Sequence, residues 1–305
     1  MGKWLSLAYL SGNPTETPRM TRRLAALAAA TLLSTAPLWA RAEPAPPPLG
    51  APHATVAPAA AQVAAGLAAH HARYQLTFDS GRGGDIVGGS GSMNFDVIDA
   101  CDGWAVEQKL SMTISNRDGQ DVQMETDYAT WESKAGTRLR FRMRQTSDTA
   151  LTEATAGEAT LDHPGGHGEV RYTQPKEEIT PLPAGTLFPM WHTATILSGA
   201  AAGKRFLGLP LFDGTADGGA QDTFVTVTSW NTKSPSARYP ALAKLASGRV
   251  HIAFFDRKPS ALEPDYEVSM RYWENGVADE IRMDFGDFVM MARLSEFKLQ
   301  PPHHC

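Results

Sequence analysis

Only two of the 305 residues are cysteine, Cys101 and Cys305, and the second is the last residue of the chain. One pairing is all the disulfide chemistry this sequence can support. Basic residues are also in deficit: 28 Lys and Arg stand against 33 Asp and Glu, for a formal charge of −5. That balance gives no electrostatic reason to bind nucleic acid or an anionic membrane surface. Beyond residue 42 no apolar run reaches the ~18 residues of a spanning helix, so no membrane span is expected. No Gly-x-Ser-x-Gly elbow occurs, which removes the most legible hydrolase signature. The Gly-rich stretch SGRGGDIVGGSGS lacks the Gly-Lys-Ser/Thr ending of a phosphate loop and reads as a hairpin turn. No internal repeat of fixed period is present.

The start of the chain does carry a pattern. Residues 20–42 read MTRRLAALAAATLLSTAPLWARA. Arg22 and Arg23 make a basic n-region, Leu24–Leu33 an apolar h-region, and Ala40-Arg41-Ala42 a small-x-small cleavage site. A signal peptide over residues 1–42 is therefore expected, with Met20 as the true start and cleavage before Glu43. No cysteine follows the h-region, so a lipoprotein anchor is not expected. The Arg pair stands without a fuller twin-arginine motif. Removing residues 1–42 leaves 23 basic and 32 acidic residues, a charge of −9. Export to the periplasm means an oxidising space, where disulfides persist. Residues 43–66 are Pro- and Ala-rich without periodicity and read as an extended linker. Residues 67–305 then form a single domain.

Most of that domain alternates with a period of two, as strands with one buried face do. Tyr74, Leu76 and Phe78 share a face, as do Met93, Phe95 and Val97. The longest run places Trp104, Val106, Leu110, Met112 and Ile114 together, interrupted only by Gln108. A turn at Asn116–Gly119 leads into Val122, Met124, Thr126 and Tyr128, and Leu139, Phe141 and Met143 follow. Late in the chain Tyr266, Val268, Met270 and Tyr272 alternate, Asn275-Gly276 supplies a hairpin turn, and Ile281, Met283 and Phe285 return. In the final strand Phe288, Met290 and Leu294 lie on one parity and Phe297 and Leu299 on the other, so a bulge is expected between them. One segment has helical spacing instead: Leu187, Trp191, Ala194 and Leu197 predict a helix over 187–202, with Thr186 as N-cap, Pro189 in the first turn and Gly203 closing the end. The fold class is mainly antiparallel β, with about a dozen strands and one main helix.

Few residues point to chemistry. The tail His303-His304-Cys305 offers metal-ligand types, but three adjacent residues at a free terminus do not make a full shell. A disulfide from Cys305 to Cys101 is the competing reading, and export favours it. Asp213, Asp217 and Asp222 lack the order of a calcium loop and read as a turn-rich loop. Arg138, Arg140, Arg142 and Arg144 share one strand face. They form a candidate contact stripe for an acidic partner, or a solvated face paired with Glu125 and Asp127 of the preceding strand. His192 and His251 are the histidines an enzyme would use, yet no nucleophile or carboxylate is placed with them by the sequence. No catalytic residue, metal or cofactor is expected. The methionines on the apolar faces read as core filler, with an apolar groove for a lipid, peptide or cell-wall fragment as the alternative.

Five stretches taken together are similar to one known family. These are LPAGTLFPMWHT (182–193), LFDG (211–214), MRYWENGVADEIRMDFGDF (270–288), CDGW (101–104) and the terminal Cys305. In order and spacing they resemble the cell envelope integrity protein EipB family over residues 70–305. The resemblance implies an open, spiralled β-barrel carrying a helix. It implies a disulfide between Cys101 and Cys305. It also implies a non-enzymatic role in maintaining the cell envelope from the periplasm, as a scaffold or through partners such as tetratricopeptide-repeat proteins.

Overall fold

The computed structural model describes residues 58–82, 84–231, 238–257, 262–301 and 305. Two helices occur among them, α1 (Pro58–Ala65) and α2 (Pro189–Ala201). The first run of strands is β1 (His70–Gly81), β2 (Ile86–Asp99), β3 (Gly103–Asn116), β4 (Asp121–Ser133), β5 (Arg138–Ser147), β6 (Ala150–Leu161), β7 (Gly168–Gln174) and β8 (Glu178–Leu182). After α2 come β9 (Phe206–Leu211), β10 (Gln221–Asn231), β11 (Ser247–Phe255), β12 (Tyr266–Trp273), β13 (Ala278–Asp284) and β14 (Phe288–Leu299). These fourteen strands exceed the dozen expected and form one antiparallel sheet, in the order β8-β7-β6-β5-β4-β3-β2-β1-β14-β13-β12-β11-β10-β9.

That order follows from short connections. Each hairpin places the next strand beside the last, so the chain starts in the middle of the sheet and works outward to β8. Helix α2 then carries it to the far edge at β9, and five more hairpins bring it back. The two halves meet where β1 pairs with β14. Alternation holds where the sequence shows it: β5 alternates exposed and buried positions from Arg138 to Gln145, and β3 pairs with β4 without a register break. The bulge expected in β14 is present. Arg73 stands opposite Glu296 and Tyr74 opposite Leu294, so Ser295 is the extra residue, and its hydroxyl donates to the Arg73 carbonyl at 2.9 Å. Beside this central seam, Cys305 is bonded to Cys101 in the β2–β3 turn, with Cα atoms 5.7 Å apart. The bond spans 204 residues and ties the end of β14 across β1 to the other half of the sheet.

The sheet stays open, with β8 and β9 as its edges. Each edge strand carries a proline, Pro181 and Pro210, which cannot donate to another strand. The sheet nevertheless curls until its two edges approach: Leu187, just past β8, bridges to Leu211 of β9. The loop after β9 (212–220) and helix α2 lie inside the curl. Phe212 packs edge-on against Phe141 of β5 with ring centroids 5.4 Å apart, and Phe141 meets Tyr172 of β7 at 5.7 Å. Leu139, Val170, Leu182 and Phe188 complete this aromatic core.

Two local expectations need correction. Helix α2 starts at Pro189, not residue 187, and Thr186 does not cap it: the Thr186 hydroxyl donates to the Pro183 carbonyl instead. The part of the Pro/Ala segment from Pro58 to Ala65 is helical, not extended. Alanine is the strongest helix former, and a helix of small residues can lie close against a neighbour. Ala60 and Ala64 are buried. The C-terminal end of α2 is as expected: Gly203 has φ +77, and the N–H groups of Gly203 and Lys204 donate to the carbonyls of Ala200 and Gly199, closing a Schellman turn.

Candidate functional site

A small cleft, open at its mouth to solvent, lies between the central strands and helix α2. Phe95 and Val97 come to it from β2, and Val106 and Gln108 from β3. Pro189, Met190 and Thr193 of α2 face them. Tyr272 of β12 and the 275–276 turn form a further wall. The Asn275-Gly276 hairpin expected from sequence is present, with Gly276 at φ +86. None of the residues lining the cleft is Asp, Glu, Lys or Arg. His70 also borders it. Burial lowers its pKa, so it is neutral, and its Nδ1–H donates to the Ala68 carbonyl at 2.7 Å.

Gln108 stands out among the polar residues of the lining, which also include Tyr128, Thr130, Thr193 and Asn275. Its residue is 2 % exposed, and neither its side-chain oxygen nor its nitrogen has a hydrogen-bond partner. Nearly all buried polar groups in folded proteins are partnered, and an orphan costs about 1–3 kcal/mol. The Thr126 hydroxyl on β4 is likewise without a partner, while other neighbours show the usual solution. Tyr128, directly opposite Gln108 on β4, donates its hydroxyl to the Asp213 carbonyl at 2.6 Å. Thr155 donates to the Gly214 carbonyl and Tyr172 to the Ala216 carbonyl. The 212–220 loop thus serves Tyr128, Thr155 and Tyr172, and no hydrogen bond from it reaches Gln108.

Helix α2, the opposite wall, is held from a distance. The carboxylate of Glu132, 1 % exposed at the end of β4, accepts the backbone N–H of Met190 at 2.7 Å and of Trp191 at 3.1 Å. These are donors that a helix leaves unpaired at its N-terminus. Burial pushes the Glu132 carboxyl up to about 8, with the two N–H bonds pulling the other way. The next residue, His192, is buried with its pKa lowered by burial to about 3. Its Nε2 lies 2.8 Å from the Thr223 hydroxyl, which lies 2.7 Å from the Leu209 carbonyl. A hydroxyl has one proton. It goes to the carbonyl, so His192 donates from Nε2 and ties α2 to β9 and β10.

The fold recurs in known proteins. A family model described as EipB-like matches residues 61–301. The chain belongs to the EipB-like family. Over 242 residues it is 27 % identical to the cell envelope integrity protein EipB of Brucella abortus (strain 2308), covering 77 % of this chain and 85 % of that one. It is also similar to the crystal structure of a beta-barrel-like protein from Brucella abortus, a domain of unknown function, at TM-score 0.69 and 26 % identity. That likeness covers 77 % of this chain and 99 % of the other.

In this EipB-like protein the residues singled out from sequence do not converge. Arg138 and Arg140 both grip Glu158 of β6, at 2.9 and 3.1 Å, and not the β4 carboxylates Glu125 and Asp127. The reason is register: Glu158 lies opposite Arg140, whereas Asp127 lies opposite Arg144. Arg142 and Arg144 remain exposed. Asp213 turns its carboxylate onto the N–H and hydroxyl of Thr215, and Asp222 pairs with Arg257 at 2.6 Å, so these acids serve different ends of the loop. His251 sits between Ser269 and Glu267, at 2.9 and 3.1 Å, a row that does not include His192 or any residue of the cleft. His303 and His304 lie outside the described residues. Sequence reasoning missed two features, the Glu132 cap and the Gln108 orphan. Gln108 did leave a trace, as the one break in the apolar face of β3.

Proposed function

We propose that this protein is a periplasmic, non-enzymatic component that maintains the integrity of the cell envelope and works by holding a protein partner. The observation that carries this reading is family membership across residues 61–301, with a relative named for cell envelope integrity. The leader expected over residues 1–42 and the Cys101–Cys305 bond support an oxidising compartment. The partner class implied by the family resemblance is a tetratricopeptide-repeat protein, whose stacked helices offer a concave surface.

One surface feature supports a partner. Phe206 on the edge strand β9 is 64 % exposed, and Phe224 beside it on β10 is 47 % exposed. Their rings stack with centroids 6.0 Å apart. Aromatic side chains grouped in the open are enriched where proteins meet. This pair is a better contact than the Arg stripe, where two of four guanidiniums already share Glu158. The test is complementation of a deletion strain under detergent stress. Wild type should restore growth, and Phe206→Ser with Phe224→Ser should accumulate to normal levels in the periplasm without restoring it. Full rescue by the double variant would remove the aromatic pair from the reading. A deletion strain with no envelope defect would remove the function itself. The cleft favours a second reading, a carrier of an apolar ligand, because Phe95, Val97, Val106 and Met190 give it hydrocarbon walls.

A further inference from the structure

The two edges of the sheet are not guarded alike. Native proteins blunt an edge strand with charge, with proline or with a covering segment. β8 has Glu178 and Pro181 in its short run. β9 reads FLGLPL, without a charge, and its proline lies where the edge is already covered. Leu187 runs alongside at that point. Its N–H donates to the Pro210 carbonyl at 2.9 Å, and its carbonyl accepts the Phe212 N–H at 3.0 Å.

These bonds fix which backbone groups of β9 face away from β10. The N–H and C=O of successive residues alternate in direction along a strand. The Pro210 carbonyl points out, whereas the Arg205 carbonyl points in and accepts the Val227 N–H at 2.8 Å. By alternation Phe206 and Gly208 also point out. Among the described residues neither has a backbone partner on that side, and both are exposed. The edge is therefore open to pairing from Phe206 to Gly208 and closed at Pro210.

The side chains above this stretch leave a gap. Leu207 turns inward onto Gly199 of α2. On the outer face Phe224 of β10 stands opposite Gly208, and its ring stacks on Phe206. Gly208 itself covers nothing, and a methyl group there would touch no atom within 4 Å. A side chain brought beside Gly208 by an added strand would enter this gap and cover the Phe224 ring. The charge at this edge is of one sign. Lys204, two residues before β9, is exposed and has no ion-pair partner among the described residues, and Arg205 beside it is exposed as well. In a chain of formal charge −5, these cations suit an acidic residue on the incoming segment.

We propose that the protein partner docks by strand addition to β9. An extended segment pairs antiparallel with Phe206–Gly208, exchanging both N–H and C=O bonds at each outward residue. It sets a large apolar side chain beside Gly208 and places an acidic residue, nearer its own C-terminal end, at Lys204. The proposal rests on the partner-holding reading and deepens it by naming the form and chemistry of the segment that is held.

The test is fluorescence anisotropy of a labelled peptide containing Phe-Thr-Val-Thr-Glu, titrated with the full mature chain. The peptide's Phe is meant for the Gly208 gap and its Glu for Lys204. Wild type should bind it. Methylating the backbone nitrogen of the peptide's Phe removes the N–H offered to the Gly208 carbonyl and should weaken binding about tenfold. Gly208→Pro suits an edge strand, because the N–H it loses faces outward. It should melt like wild type and bind about tenfold or more weakly. Lys204→Glu should bind more weakly at low salt, and a peptide with Lys in place of Glu should restore it. Binding untouched by both the methylation and Gly208→Pro would assign the contact to the aromatic rings alone and overturn strand addition, with Phe206 and Phe224 still standing as the partner contact. No binding by wild type would overturn β9 as a docking edge, while complementation by the Phe206 and Phe224 double variant decides the partner reading separately. A dimer of the protein that Gly208→Pro dissolves would make a second copy the occupant and overturn the assignment to a partner.

Discussion

Gln108 and Tyr128 stand opposite each other on β3 and β4, on the same inner face of the sheet, and both border the cleft, yet their polar groups meet different surroundings. From Tyr128 toward β7 the inner face is a core. Phe141, Tyr172, Phe188 and Phe212 interlock edge to face, and the hydroxyls of Tyr128, Thr155 and Tyr172 meet carbonyls of the 212–220 loop. From Gln108 toward β2 the same face opens into the cleft, and its amide meets nothing. One region has been filled by a loop from the far half of the chain and the other has not. The difference separates a filled interior from an open cleft.

The contrast breaks most severely if the filling loop loses its anchor. Phe212→Ala removes a ring that is 1 % exposed and contacts three other aromatics. It should cost about 3–5 kcal/mol, measured by urea unfolding, and should free the 212–220 loop from the sheet. A loss below about 1 kcal/mol would mean that the loop does not hold the curl together. Cys305→Ser acts on the other side. Its bond crosses the β1–β14 seam, close to the cleft and away from the aromatic core. The variant should lose about 2–5 kcal/mol. Faster amide exchange should appear in β1, β2 and β14 before it appears in β5 and β7. Uniform exchange would show that the seam and the core open as one unit.

Much of this was open to sequence reading, for physical reasons. The alternation from Trp104 to Ile114 and from Leu139 to Met143 reflects one buried face, and a buried face is a local property. The Asn275-Gly276 turn and the bulge between Leu294 and Phe297 are local as well. The curl is not. It depends on β1 finding β14 more than 200 residues away and on the accumulated twist of many strands. Helix α1 was hidden because a run of alanines carries no apolar stripe. The cap of α2 was hidden because it comes from Glu132, 58 residues earlier, where a capping rule looks only at the residues beside the helix. Gln108 was visible as a break in a pattern, but only the structure shows that the break has no partner.

Glu132 gives the boundary between the two regions a pH dependence. With its pKa raised to about 8 from 4.5, the folded protein keeps a proton that the unfolded chain has released. Its contribution to stability is full below about pH 4.5 and is lost as pH rises toward 8. His192 works with the opposite sign. Held neutral down to about 3 against 6.5 unfolded, it favours folding above pH 6.5 and loses that contribution as pH falls. The two oppose each other between pH 4.5 and 6.5, and only Glu132 acts from 6.5 to 8. Stability should therefore fall by about 2 kcal/mol across that last window, with the Met190 end of α2 loosening first. Glu132→Gln should be less stable, since an amide nitrogen cannot accept a helix N–H, but its stability should not vary over the same window through this site. A variant that keeps the full slope would assign the pH dependence elsewhere.

The smallest changes test the comparison most directly. Tyr128→Phe and Gln108→Leu each remove one buried polar group from opposite residues and keep the volume of the side chain nearly constant. At Tyr128 the deletion leaves the Asp213 carbonyl without its donor, so Tyr128→Phe should cost about 1–2 kcal/mol. In the cleft nothing is left behind, because Gln108 had no partner, and a leucine there adds apolar contact with Val106 and its neighbours. Gln108→Leu should leave the melting temperature unchanged or raise it. If instead it destabilises as much as Tyr128→Phe, then Gln108 is bonded in solution, and the two sides of the inner face do not differ in kind.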